Sequence, residues 1–145
     1  MNLWKLNGTE ISGIQQIPEE MIGFCYKITN KKNGKFYIGR KIFFSERKVK
    51  LSKKEKLLSE NKRKTYKYVK KETNWLNYWG SCEELLSDIK LYGEESFERE
   101  IIHLCKSKID ITFYEAYHQI LNNVIFIDSY NNNILGKFYR GKITC

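Results

Sequence analysis

The sequence predicts one domain of the mixed α/β (α+β) class, and two observations carry that prediction. Around Asn33-Gly34, in "GFCYKITNKKNGKFYIGRK", apolar and polar residues alternate on both sides of a turn signal, as they do in a hairpin. Downstream, two helix-like segments flank a short apolar run, "EIIHLC", that reads as a further strand. A chain of 145 residues suits one domain with a real core. With 41% hydrophobic and 30% charged residues, it is globular and not disordered.

Residues 1–20 read as an N-terminal extension, ending near Pro18, the only proline. The domain then spans 21–145. Its first strand covers Gly23–Thr29, with Phe24, Tyr26 and Ile28 on one face and Cys25 and Lys27 on the other. Lys35–Arg40 is the partner, with Phe36 and Ile38 opposite to Tyr37 and Gly39. A helix is expected from about Ser45 to Asn61, where Ser precedes a Glu and a Lys/Leu run. Lys62–Thr73, basic and without periodicity, reads as a mobile stretch, so that a basic insertion occupies about 48–73. In "SCEELLSDIKLYGEE", Ser81 can cap a helix that Gly93 ends. Phe97–Cys105 supplies the third strand. From Thr112 to about Asn123, Phe113, Ala116, Tyr117, Ile120, Leu121 and Val124 follow helical spacing and are expected to face the core. Glu115 lies almost opposite that stripe.

Net charge is +9, unevenly placed. From Arg40 to Lys71 there are 14 Lys/Arg against 3 Glu, a balance of +11 that leaves −2 for the rest. Such a block suits a polyanion such as DNA, because each neutralised phosphate releases counterions; the plainer reading is a solvated surface. Cys25, Cys82, Cys105 and Cys145, even joined by His103 and His118, lack zinc-ligand spacing and read as reduced thiols. No apolar run approaches the ~20 residues of a membrane span. The start of the chain lacks signal-peptide features, so a cytoplasmic location is expected.

Tyr26 closes a degenerate first motif, Phe24-Cys25-Tyr26 after Gly23, and Tyr37-Ile38-Gly39 stands eleven residues on. With Arg47 at a fixed offset, Glu115 in "TFYEAYHQIL" and Tyr130-Asn131, this order resembles the GIY-YIG nuclease family. "WLNYWGSCEELLSDIKLYG" and "NNNILGKFYRGKI" are similar to its phage-encoded, Seg-like branch. The resemblance covers most of the chain from Gly23 onward. It implies a compact fold, a small three-stranded antiparallel sheet flanked by helices, and a metal-dependent endonuclease acting on DNA, expected to be double-stranded. Phage homing, DNA degradation and exclusion of rival DNA are all compatible with it, and a phage protein would work in its host's cytoplasm. Tyr26, Tyr37, Arg40, Arg47, Glu115 and Asn131 are the implied catalytic residues, with Glu115 as the ligand of Mg²⁺ or Mn²⁺. Lys41, Lys48, Lys50, Lys53 and Lys54 are the expected DNA contacts.

The chemistry suits these residue types. A hard cation keeps several waters, so one carboxylate can anchor it. Arg47 can grip phosphate oxygens with two prongs. A tyrosine is a poor base at neutral pH unless cations favour phenolate, and Arg40 and Lys41 directly follow the second motif. Taken singly, each residue has a plain account: strand aromatics for Tyr26 and Tyr37, solvated charges for Glu115 and Arg47, a turn for Asn131. Their joint order favours the active set. Which tyrosine is the base, and whether Asn131, Asn132 or Asn133 is the family asparagine, stay open. One helical turn after the arginine the family often has His or Tyr, where this chain has Leu51; Tyr66 or Tyr68 could substitute. Trp75, Tyr78 and Trp79 either stack on bases or, as their size suggests for the tryptophans, fill the core. The competing function is a non-catalytic nucleic-acid-binding protein that keeps the fold.

Overall fold

A computed structural model describes residues 2–144, so Cys145 lies outside the described residues. Strands β1 (Trp4–Leu6) and β2 (Thr9–Ile11) form a hairpin whose turn holds Asn7 and Gly8 at positive φ, the backbone that a two-residue turn requires. β3 (Gly23–Asn30) and β4 (Phe36–Ile42) form a second hairpin. An arm follows: β5 (Phe44–Lys50), the short helix α1 (Lys53–Leu58) and β6 (Tyr66–Glu72). The chain continues through α2 (Glu83–Tyr92), β7 (Phe97–Cys105), α3 (Lys108–Leu121) and a hairpin of β8 (Asn133–Ile134) and β9 (Phe138–Tyr139).

The main sheet has five strands in the order β2-β1-β7-β3-β4. This corrects the expectation of a small three-stranded antiparallel sheet. β3, β4 and β7 are antiparallel as expected, but the segment read as an extension adds β1, which runs parallel to β7, and β2. Trp4 explains the addition. It is fully buried, its indole N–H donates to the Trp75 carbonyl at 2.7 Å, and its ring meets Phe24 edge-on at 5.2 Å. A three-residue strand gains little by itself; a buried tryptophan anchors it.

Between β4 and α2 the structure also differs from the sequence reading. The expected helix at 45–61 is strand β5 with only one and a half turns of α1, and the stretch expected to be mobile is strand β6, paired with β5 from Phe44↔Glu72 to Lys50↔Tyr66. Phe44, Val49, Tyr66, Tyr68 and Val69 favour strands, and they outweigh a lysine run that has no apolar face to bury. The helix-start signal belongs to Ser52, whose hydroxyl accepts from the Glu55 N–H while the Glu55 carboxylate accepts from the Ser52 N–H. Ser81 does not cap α2 either: Cys82 stands at the start, without a side-chain cap, and Gly93 ends the helix at positive φ.

α3 forms, but it starts four residues before the expected Thr112, after Ser107, whose hydroxyl accepts from the Asp110 N–H, and it is rotated. Ile111, Ala116 and Gln119 are buried against the sheet, and Glu115 lies mostly inward with them. Phe113, Tyr117, Ile120 and Leu121 face solvent, while Val124, beyond the helix, is buried. The reason lies in polar groups. The free edge of β4 exposes the N–H and C=O of Ile38, and Gln119 donates to that carbonyl at 3.0 Å. The Asn131 amide already bonds one lone pair of this carbonyl, and Gln119 takes the second, a hydrogen bond worth about 0.5–1.5 kcal/mol that helps orient the helix.

Candidate active site

Strand alternation sorts the expected residues into two groups. In the β3–β4 register Tyr26 pairs with Gly39 and Ile28 with Tyr37, so the two tyrosines sit diagonally on one face. Their ring centroids are 6.1 Å apart. Arg40 follows Gly39 and therefore points to the opposite face, where α3 packs. There its Nη1 donates to the Thr112 hydroxyl at 2.7 Å and its Nε stands 3.7 Å from the Glu115 carboxylate. Lys41 returns to the tyrosine face, with its ammonium 4.1 Å above the Tyr78 ring.

Gly39 makes this arrangement possible. A Cβ at position 39 would lie 2.5 Å from the Tyr26 hydroxyl and 2.8 Å from the Tyr37 ring. Gly80, at φ +89°, closes the other side: a Cβ there would stand 3.2 Å from the Tyr26 hydroxyl. The loop carrying Gly80 also brings Tyr78 edge-on to Tyr26 at 6.1 Å and Ser81 beside the Tyr37 phenol. Arg99 fixes that loop. Its guanidinium is sandwiched between Trp4 at 4.5 Å and Trp79 at 4.3 Å, and it donates to the carbonyls of Tyr78 at 2.7 Å and Asn2 at 2.6 Å. Burial lowers the Arg99 pKa to about 10, which leaves it charged at neutral pH.

The electrostatics oppose a resting phenolate. Burial first, then the nearby Tyr37, Tyr78 and Glu115, push the Tyr26 phenol well above its usual value. Burial and the Glu115 charge push Tyr37 to about 12, against a smaller downward pull from Ser81. The expected cationic field is thus not felt at the phenols in this state: Arg40 serves Glu115 and Thr112 across the sheet. Burial raises the Glu115 carboxyl and Arg40 partly restores it. A desolvated carboxylate with one loosely placed cation gains from a further positive charge, so it fits a hard divalent ion that brings its own waters. Among the described residues no cluster of three or more His, Cys, Asp or Glu could hold a metal, so Glu115 is not part of a ready-made cage of such ligands.

Asn131 is buried and structural in its contacts. Its side-chain carbonyl accepts from the Ile38 N–H at 2.9 Å, and its amide donates to the Ile38 carbonyl at 2.9 Å. One residue earlier, the Tyr130 N–H donates to the Phe36 carbonyl at 2.8 Å. Together they pair the open edge of β4 as another strand would. Arg47 lies exposed on β5 opposite Val69, and no hydrogen bond or ion pair among the described residues joins it to Tyr26, Tyr37 or Glu115. Lys48 and Lys50 on β5, and Lys53 and Lys54 on α1, are exposed on the same arm. Trp75 is a core residue; Trp79 packs half-buried against Phe97 and Arg99.

The family described as "Putative endonuclease segE, GIY-YIG domain" matches residues 4–143. The chain belongs to this GIY-YIG family. Among curated proteins and among solved structures, nothing matches. A GIY-YIG domain is a nuclease domain, which implies a nucleic-acid substrate. The family match begins at Trp4's own strand, in keeping with the place of β1 in the sheet. Sequence reasoning overlooked Gly80, Ser81 and Thr112 as neighbours of the motif residues. Gly80 and Ser81 sit in "YWGSC", and two small residues directly after two bulky aromatics are a sign of close packing that could have found them.

Gly39→Ala is expected to cost about 1–3 kcal/mol, the usual range for overpacking, because the Tyr26 phenol must move. Urea unfolding followed by circular dichroism measures it. An unchanged midpoint would mean that the phenol is not held against position 39.

Proposed function

We propose that the protein is a metal-dependent DNA endonuclease that hydrolyses phosphodiester bonds in double-stranded DNA. The observation that supports this best is the joint placement of two phenols and one desolvated carboxylate whose charge reaches both of them. Family membership supports the reaction class.

Exposure separates the roles of the phenols. Tyr26 is buried and cannot meet solvent, whereas Tyr37 is partly exposed beside it. Tyr37 is therefore the phenol that contacts the attacking water, and Tyr26 holds it in place through the shared packing around Gly39. With its proton retained up to about pH 12, Tyr37 orients the water first. When cations at the phosphate favour phenolate, the partly exposed Tyr37 first gives up its own proton to solvent, and the phenolate then takes the proton of the attacking water. Glu115 is the residue that would hold Mg²⁺ or Mn²⁺; when bound, such an ion supplies positive charge at the phosphate oxygens. Arg40, held by Thr112 next to Glu115, adds a guanidinium to the same charge pattern. Lys41 lies on the Tyr37 side and steers the phosphate toward the phenol.

The arm serves affinity. Lys48 and Lys50 line the free face of β5 with Lys70, while Lys53 and Lys54 extend the charge to α1. Arg47, opposite Val69, projects from the other face of the ribbon and contacts the DNA backbone from there. An antiparallel two-stranded ribbon is also narrow enough to enter the major groove.

Tyr37→Phe is expected to lower single-turnover cleavage of a DNA duplex by about 10²- to 10⁴-fold, the range for losing a general base. Tyr26→Phe is expected to cost less, since its hydroxyl does not meet the substrate. Wild-type rates in Tyr37→Phe would remove the phenol from the reaction. Changing Lys48, Lys50, Lys53 and Lys54 to Gln is expected to flatten the dependence of log K on log salt by roughly 0.9 per lost phosphate contact. An unchanged slope, in a titration of labelled duplex, would make the arm merely solvated.

A further inference from the structure

We propose that two copies of this chain pair through the outward face of α3. Four residues of the stripe that sequence spacing assigns to the core, Phe113, Tyr117, Ile120 and Leu121, are on the surface. Ile109, Phe113, Ile120 and Leu121 are each more than half exposed, and Tyr117 nearly half. The Phe113 and Tyr117 rings lie nearly parallel, 18° apart at 6.2 Å, and present a flat apolar face. Soluble monomers rarely leave so continuous a stripe bare.

Three observations indicate a second copy as the occupant. The first is shape. At its N-terminal end α3 raises Ile109 and Phe113 into solvent, and at its C-terminal end an apolar groove of about 230 Å³ opens between Ile120, Val124, Phe126, Ile134, Phe138 and Ile143. A cavity of about 150 Å³ accepts a benzene ring, so the groove has room for a phenylalanine. An antiparallel pair about a two-fold axis lays the raised end of each helix over the groove of the other, and both ends are satisfied at once. The second is area. The exposed parts of the stripe, with Phe126, Phe138 and Ile143 on the groove rim, reach on the order of 800 Å² per copy, which is what a standard interface buries on each side. The third is charge. The +11 block lies between Arg40 and Lys71, and the remainder of the chain carries −2. The α3 face lies outside that block; Lys106, Lys108, Lys137, Arg140 and Lys142 flank it together with Asp110 and Asp128, so self-association there meets less repulsion than it would on the arm. Glu115 sits on the inward side of the same helix, so the pairing leaves it free and places two such carboxylates in one particle.

Sedimentation velocity of the full chain over a dilution series tests the pairing, without reference to cleavage. Wild type is expected to pass from monomer to dimer with rising concentration. The double variant Phe113→Asp with Ile120→Asp is expected to weaken self-association at least about 30-fold, since two central apolar contacts are lost. Leu91→Asp, an equally exposed leucine on α2, is expected to dimerise as wild type does. If the double variant loses its circular dichroism spectrum, Phe113→Ser replaces it, with the same expected direction. A wild-type monomer at every concentration, or a dimer that survives the α3 variants, overturns the proposal.

Discussion

The phenol of Tyr26 fills a slot between two glycines, and much of the candidate site depends on that fit. On one side a Cβ at position 39 would lie 2.5 Å from the hydroxyl; on the other a Cβ at position 80 would lie 3.2 Å away. Interiors pack too densely to absorb such an intrusion cheaply. The slot therefore couples three segments: β3 supplies the phenol, β4 the bare backbone beneath it, and the 75–81 loop the cover. Tyr37 is placed as a consequence, because the same absence of a side chain at 39 lets its ring lie beside that of Tyr26.

Two further devices keep the slot in register. Arg99 reaches from β7 and joins β1 to the cover loop, with one guanidinium between two indoles and hydrogen bonds to two carbonyls. On the far side, Asn131 and Gln119 complete the hydrogen bonding of Ile38, so β4 behaves as an inner strand although none lies beyond it in the sheet. Both devices are buried and bond to backbone groups, which makes them specific about geometry, although among the described residues nothing bonds to the Arg99 Nε or the Gln119 Oε1. The electrostatic result is a site in two halves. The phenols lie under the cover loop, and the Arg40–Glu115 pair lies on the α3 face, close enough that the carboxylate raises both phenols.

What could be read from the sequence was local. Alternation around Asn33-Gly34 gave β3 and β4 with the right faces, and "EIIHLC" marked β7. The pairing of Tyr26 with Tyr37 needed the register as well, which sets Tyr26 opposite Gly39 and Ile28 opposite Tyr37. Period two also shows that Arg40 must leave the tyrosine face, an inference that adjacency in sequence obscures. β1 was not legible, because three residues have no periodicity and their anchor, Trp4 on Trp75, joins positions 71 apart. The arm was misread because lysines dominate its composition while a few aromatic and β-branched residues decide its structure. α3 shows the sharpest limit. Spacing located the helix from Thr112 onward, but its inward face is set by Gln119 and Glu115, whose partners on β4 no local pattern reveals.

The central claim is that Glu115 makes this fold a metal-dependent nuclease. Its most direct test is the conversion of supercoiled plasmid to nicked or linear DNA with Mg²⁺, with EDTA, and by Glu115→Gln. Gln keeps the shape of the side chain and removes its charge, so the fold and the affinity for DNA should be retained. Cleavage by wild type in Mg²⁺ alone, lost with EDTA and lost in the variant, is the predicted result. Equal cleavage by wild type and Glu115→Gln, or a folded wild type that binds plasmid and leaves it supercoiled in Mg²⁺, would contradict it.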